Sequence, residues 1–184
     1  MEGLIEGREC GECTVCCSAL PINSEELRKL PGALCTHALP NKGCGIYETR
    51  PRVCRGFYCA WRFMEQLDES WRPDVSGLLI EFDVQGGRAI GVKIEAFDDL
   101  NVLATQRFVH LVASLIDAGM KVCLLYPQRG YFPARIDLNP VLDEPVRNRD
   151  FKAVVAGLGQ VLRGFQNHRF VPVNFTPSAD QAQA

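Results

Sequence analysis

Apolar positions along the chain change period several times, and each change predicts an element. Between Gly77 and Ala96 apolar and polar residues alternate and β-branched side chains are frequent. Gln85-Gly86-Gly87 interrupts that run, so residues 77–84 and 88–96 are expected to form a β-hairpin around a glycine turn. The period then lengthens. Leu103, Phe108, Leu111, Val112, Leu115 and Ile116 recur at helical spacing, predicting a helix over about 100–118, capped by Asp98 or Asp99 and stopped at Gly119. Lys121–Tyr126 reads as a short apolar strand ended by Pro127, and 131–138 as a second one made irregular by Pro133. Phe151, Val154, Val155, Leu158, Val161, Leu162 and Phe165 form the apolar stripe of a helix over about 150–165. Beyond Asn174 apolar content falls away, and the tail is expected to be disordered.

Before residue 65 the pattern is of another kind, with cysteine, glycine, proline and arginine in short stretches. Residues 23–30 predict a short helix, with Asn23 or Ser24 as its cap and Pro31-Gly32 as its stop. Pro51 suits the first position of another helix, over 52–64, although Gly56 weakens it. The whole suggests an α+β fold: a cysteine-rich metal-binding N-terminal module packed on a small, mainly antiparallel sheet covered by two long helices. The corresponding division is 1–64 for the module, 65–174 for the α+β domain and 175–184 for the tail.

Composition narrows the function classes. The 184 residues carry a formal net charge of −2 with 23% charged side chains, unlike the strongly basic balance of a dedicated nucleic-acid binder. No run of about 18 apolar residues occurs, so no membrane span is expected. The opening Met1-Glu2-Gly3-Leu4-Ile5-Glu6 has neither the basic start nor the apolar stretch of a secretory signal, which points to the cytoplasm. That compartment decides how the nine cysteines are read. In a secreted chain such clustering would suggest disulfides; in a reducing cytosol it points to metal or redox chemistry.

Eight of the nine fall within residues 10–59: Cys10, Cys13, Cys16 and Cys17, then Cys35 and Cys44, then Cys54 and Cys59. A tight CxxC turn brings two sulfurs within reach of one ion. Neighbouring residues such as Cys16 and Cys17 point apart whether the chain is extended or helical, and Cys54 and Cys59 diverge on any regular helix. Both facts favour two ions, or one polynuclear cluster, over a single site with spare thiols. Eight thiolates fill two four-sulfur zinc sites. Two divalent ions would leave them a charge of −4, which Lys42, Arg50, Arg52, Arg55 and Arg62 stand near enough in sequence to offset.

The run Cys13-x-x-Cys16-Cys17, followed by Cys35 and by Cys44-Gly45-Ile46-Tyr47-Glu48-Thr49-Arg50-Pro51-Arg52-Val53-Cys54-Arg55, resembles the YkgJ-type cysteine-cluster family over residues 10–59. That family is described as a zinc- or iron-chelating domain. The resemblance implies that Cys13, Cys16 or Cys17, Cys35, Cys44 and Cys54 are ligand positions, with Cys10 and Cys59 extending the pattern.

Other features read as structural. Cys123, within Val122-Cys123-Leu124-Leu125, is expected to be a buried thiol. His37 is a candidate ligand only by lying between Cys35 and Cys44. Trp61, Arg62, Trp71 and Arg72 suit a junction of stacked guanidinium and indole better than a nucleic-acid surface. The expected role is metal binding, structural or metal-handling, with zinc ahead of iron. An iron–sulfur redox protein and an interaction module for a nucleic acid or protein partner are the alternatives, and the sequence assigns no enzymatic activity.

Overall fold

The structure is a computed structural model, in which residues 3–39, 41–97, 99–165 and 168–181 are described. The cysteine-rich segment begins with a short helix, α1 (Val15–Ala19), followed by a two-stranded ribbon of β1 (Ile22–Asn23) and β2 (Arg28–Lys29) and a second of β3 (Ala38–Leu39) and β4 (Gly43–Cys44). Helix α2 (Arg52–Arg55) is one turn long, and α3 (Pro73–Ser76) leads into the main sheet. That sheet holds β5 (Leu78–Gln85), β6 (Arg88–Ala96), β7 (Lys121–Tyr126) and β8 (Ala134–Asp137) in that order, with α4 (Gln106–Asp117) crossing between β6 and β7. The last helices are α5 (Asn139–Arg147) and α6 (Phe151–Phe165).

The α+β class holds, and two of the three strand pairs in the main sheet are antiparallel. The β6–β7 pair is parallel, because α4 returns the chain to the edge from which it left. The predicted hairpin forms on the two-residue turn Gly86-Gly87, whose φ angles of 57° and 77° match the primed turns that suit twisted strands.

Three helices, rather than two long ones, pack against the sheet's apolar face. Helix α5 went unread because Pro140 and Pro145 look like breakers. Pro140 falls in the first turn, where no N–H is needed, and Pro145 is tolerated two residues before the helix ends. The helix expected over 100–118 starts later. Leu100–Ala104 is a 3-10 turn capped by Asp99, and the Thr105 hydroxyl caps α4 by accepting from Phe108 N–H at 3.2 Å. Asp98, the other suggested cap, lies outside the described residues.

Two short helices expected upstream do not form as read. Residues 23–30 make the turn of the β1–β2 ribbon, closed by Ser24, whose hydroxyl bridges the Leu27 N–H and C=O at 3.1 Å each. Leu27 and Lys29 are buried while Arg28 is exposed, the two-residue period of a strand. The 52–64 helix stops at Gly56, and the chain runs extended to Cys59 before a 3-10 turn at Ala60–Arg62. The segment after Asn174, read from composition as disordered, is described to Gln181 and lies against the loop after Cys35. There Gln181 is 3% exposed, its side-chain oxygen accepts from Thr36 N–H at 3.0 Å, and Ser178 N–H donates to Arg28 C=O at 2.8 Å.

Strand alternation gives the main sheet two unlike faces. Leu78, Ile80, Val92, Ile94, Val122, Leu124 and Ala134 join Phe108, Leu111, Val112, Leu142, Leu158 and Val161 of the helices in one core. The other face carries two cross-strand rows. Leu79, Glu95, Leu125 and Arg135 form one; Glu81, Lys93, Cys123 and Asp137 form the next. Val15 and Ala19 of α1 pack on Leu79 and so seat the cysteine loops on this charged face.

Candidate metal centre

Each cysteine is held by a turn the local sequence dictates. Cys13 N–H donates to Cys10 C=O at 2.9 Å, closing the first CxxC, and Cys16 and Cys17 follow in α1. Cys35 N–H donates to Cys17 C=O at 2.9 Å, which ties the second group to the first. The β3–β4 ribbon brings Cys44 opposite Ala38. Its Gly43 has φ 75°, and a Cβ there would stand 2.2 Å from the Gly11 carbonyl oxygen, so only glycine lets the Cys44 ribbon approach the Cys10–Cys13 turn. Cys54 sits in α2, and Cys59 lies in the extended stretch beyond it.

Packing places five of the eight thiols in two clusters. Cys13 and Cys59 pack around Val15, Ala19 and Leu79, whereas Cys17 and Cys54 pack with Cys35 around Ile22 and Leu27. Electrostatics extends both clusters but leaves Cys16 between them. Cys59 is disfavoured as an anion first by burial and then by Cys10 and Cys13; Cys54 by burial and then by Cys17, Cys35 and Cys44. Cys16 responds first to its hydrogen bond with Cys17, then to burial and the Cys17 charge, and last to Cys10 and Cys13, so it stands between the two clusters. All nine thiols are free, and among the described residues no three or more His, Cys, Asp or Glu side chains are grouped so as to hold an ion.

The thiols resist ionising together. Burial pushes Cys13, Cys35 and Cys54 up, and Cys59 up to about 11. The hydrogen bond between neighbours drives Cys16 up and holds Cys17 down at about 7. A thiol set of this kind becomes a thiolate set when a cation supplies the missing charge.

One cation is built in, and sequence reading missed it. Lys29 is 0% exposed, and its Nζ donates to the carbonyls of Ser18 (3.1 Å), Leu30 (3.1 Å) and Ala33 (2.8 Å). It thereby fastens the backbone next to Cys17 to that just before Cys35. Burial lowers its pKa to about 8, against the pull of Cys35, Cys17, Cys16 and Cys54. Nothing marked Lys29 in the sequence except its place two residues after a buried leucine. Of the predicted counter-charges, Arg62 is nearest: 9% exposed, it points Nη1 at Cys10 Sγ at 3.7 Å and stacks over Tyr58. Arg50 stacks over Tyr47 and lowers Cys54 slightly; Lys42, Arg52 and Arg55 face solvent. His37 stands 3.7 Å from Asp180 in the tail. Both tryptophans are buried in the main core, and the stacked guanidinium groups are Arg8 over Trp61 and Arg107 over Trp71 rather than Arg62 and Arg72, which go to Tyr58 and Asp74.

Seven of the eight cysteines, all but Cys59, line a cavity of about 530 Å³ whose opposite wall is the charged sheet face. Glu81, Lys93, Glu95 and Arg135 belong to that wall. Sequence reading passed over them, although Glu81 and Glu95 occupy the polar phase of the hairpin's alternation. Cys123 is buried on the same face, and burial raises its thiol to about 12.

Among the described residues no helix is long and apolar enough to cross a membrane. Comparison with family models, curated proteins and solved structures found no match.

Proposed function

We propose that this chain is a metal-binding protein with two four-thiolate sites, Cys10/Cys13/Cys16/Cys59 and Cys17/Cys35/Cys44/Cys54, taking zinc ahead of iron in a structural or metal-handling role. The observation that supports this reading is the clustering of Cys13 with Cys59 and of Cys17 and Cys54 with Cys35, to which electrostatics adds Cys10 beside Cys59 and Cys44 beside Cys54; Cys16 is assigned to the first site to complete its four. Four thiolates close a tetrahedral zinc shell and leave no open position for substrate, which favours a structural or transfer role over catalysis. Binding would release protons and draw the thiols of each group together, coupling metal to the order of these loops. The −4 left by two divalent ions has Lys29 beside one group and Arg62 beside the other.

Elemental analysis of the purified, reduced protein tests this. Cys54→Ala and Cys59→Ala are each expected to lose one of two metal equivalents, and Cys123→Ala to keep both. A colourless protein supports zinc; a brown one with acid-labile sulfide points to an iron–sulfur cluster. A folded, reduced wild-type protein free of zinc and iron, or equal metal content in all three variants, sinks the proposal.

A further inference from the structure

We propose that the cavity between the cysteine loops and the charged sheet face binds a small organic ammonium ion, a primary amine on a short apolar chain, with the Glu95 carboxylate as its anchor. The volume of about 530 Å³ lies in the range of small-molecule sites, and Leu20, Phe57, Leu125 and Phe132 supply apolar wall.

The charge preference follows from what is already paired. Lys93 is taken by Glu81 at 2.9 Å. Arg135 is held by Asp83 at 2.8 Å and Asp137 at 3.2 Å. Lys29 spends its three N–H bonds on backbone carbonyls. Glu95 is left over. It is 5% exposed and lines the cavity, where no side-chain hydrogen bond or ion pair to another described residue engages it; its oxygens are not among the fully buried unpaired atoms, so they stay open to the cavity. Burial and then the nearby Glu81 push its carboxyl up to about 7, against the pull of Lys29 and Lys93. An anionic ligand would meet Glu81 and Glu95 with every cation on that wall engaged. A purely apolar one would leave Glu95 unsatisfied. An ammonium head donates to Glu95 while its chain lies along the apolar wall.

This inference goes beyond the metal reading and does not rest on it. Calorimetric titration of the purified protein with n-butylammonium, n-butanol and n-butyrate tests it, with metal content assayed on the same samples. Butylammonium is expected to bind at least about tenfold more tightly than butanol, and butyrate not at all. Glu95→Gln, which keeps the size and removes the charge, should erase that preference, and Glu95→Asp should weaken it. Equal binding of amine and alcohol, preference for butyrate, no binding of the amine at any metal content, or an unchanged preference in Glu95→Gln overturns the proposal. Amine binding by a metal-free sample would refute the metal reading alone; a metal-replete sample that ignores the amine would refute this one alone.

Discussion

Glu95→Gln should stabilise the protein, and do so only where the carboxyl is ionised. Burial raises its pKa from 4.5 to about 7, first through lost hydration and then through Glu81. The sign follows from linkage. Below pH 4.5 the carboxyl is protonated both folded and unfolded, so no penalty arises. As pH rises from 4.5 to 7 the unfolded chain ionises first, and the folded state loses ground. Above pH 7 the loss is complete. Its size is the difference of 2.5 pKa units at about 1.4 kcal/mol each, or about 3 kcal/mol. Glutamine is neutral, similar in volume and equally unpartnered, so it resembles the protonated acid. For a chain of 184 residues that energy corresponds to a Tm increase of roughly 6 to 12 °C at pH 8 and almost none at pH 4. Thermal unfolding of both proteins followed by circular dichroism at the two pH values, without added amine, measures the gap. A gap independent of pH, or larger at pH 4, would refute the reasoning that Glu95 is buried and unpaired.

Two further substitutions probe the cysteine loops. Lys29→Met removes the donor shared by the Ser18, Leu30 and Ala33 carbonyls, and is expected to destabilise by about 3 kcal/mol in urea unfolding and to make bound metal easier to strip with a chelator. Wild-type values for both would show that Lys29 does not tie these loops. Gly43→Ala forces a left-handed φ on alanine and sets its Cβ against the Gly11 carbonyl, so Tm should fall by several degrees while Gly56→Ala, whose Cβ would meet only the Arg52 and Val53 carbonyls at ordinary contact distance, changes it little. Equal effects from the two would argue against the close approach of the Cys44 ribbon to the first CxxC turn.

Periodicity alone sufficed for the β5–β6 hairpin, β7, and most of α4 and α6, because each carries an apolar face long enough to outweigh local preference. It failed where elements are shorter than a cooperative unit. Residues 23–30 have helical composition, yet burial of Leu27 and Lys29 in alternation makes them a ribbon. The crowding of eight thiols into one stretch was legible in the chain, whereas the expectation that Cys16 and Cys17 point apart missed the hydrogen bond their side chains make. The clustering of Cys13 with Cys59 and of Cys17 and Cys54 with Cys35 was not legible, since it depends on how α1, α2 and the stretch at Cys59 meet. Nor could the chain by itself reveal that Lys29 is wholly buried or that, among the described residues, no hydrogen bond or ion pair engages the Glu95 side chain. Burial and pairing are properties of what surrounds a side chain, and here the surroundings come from segments many residues away.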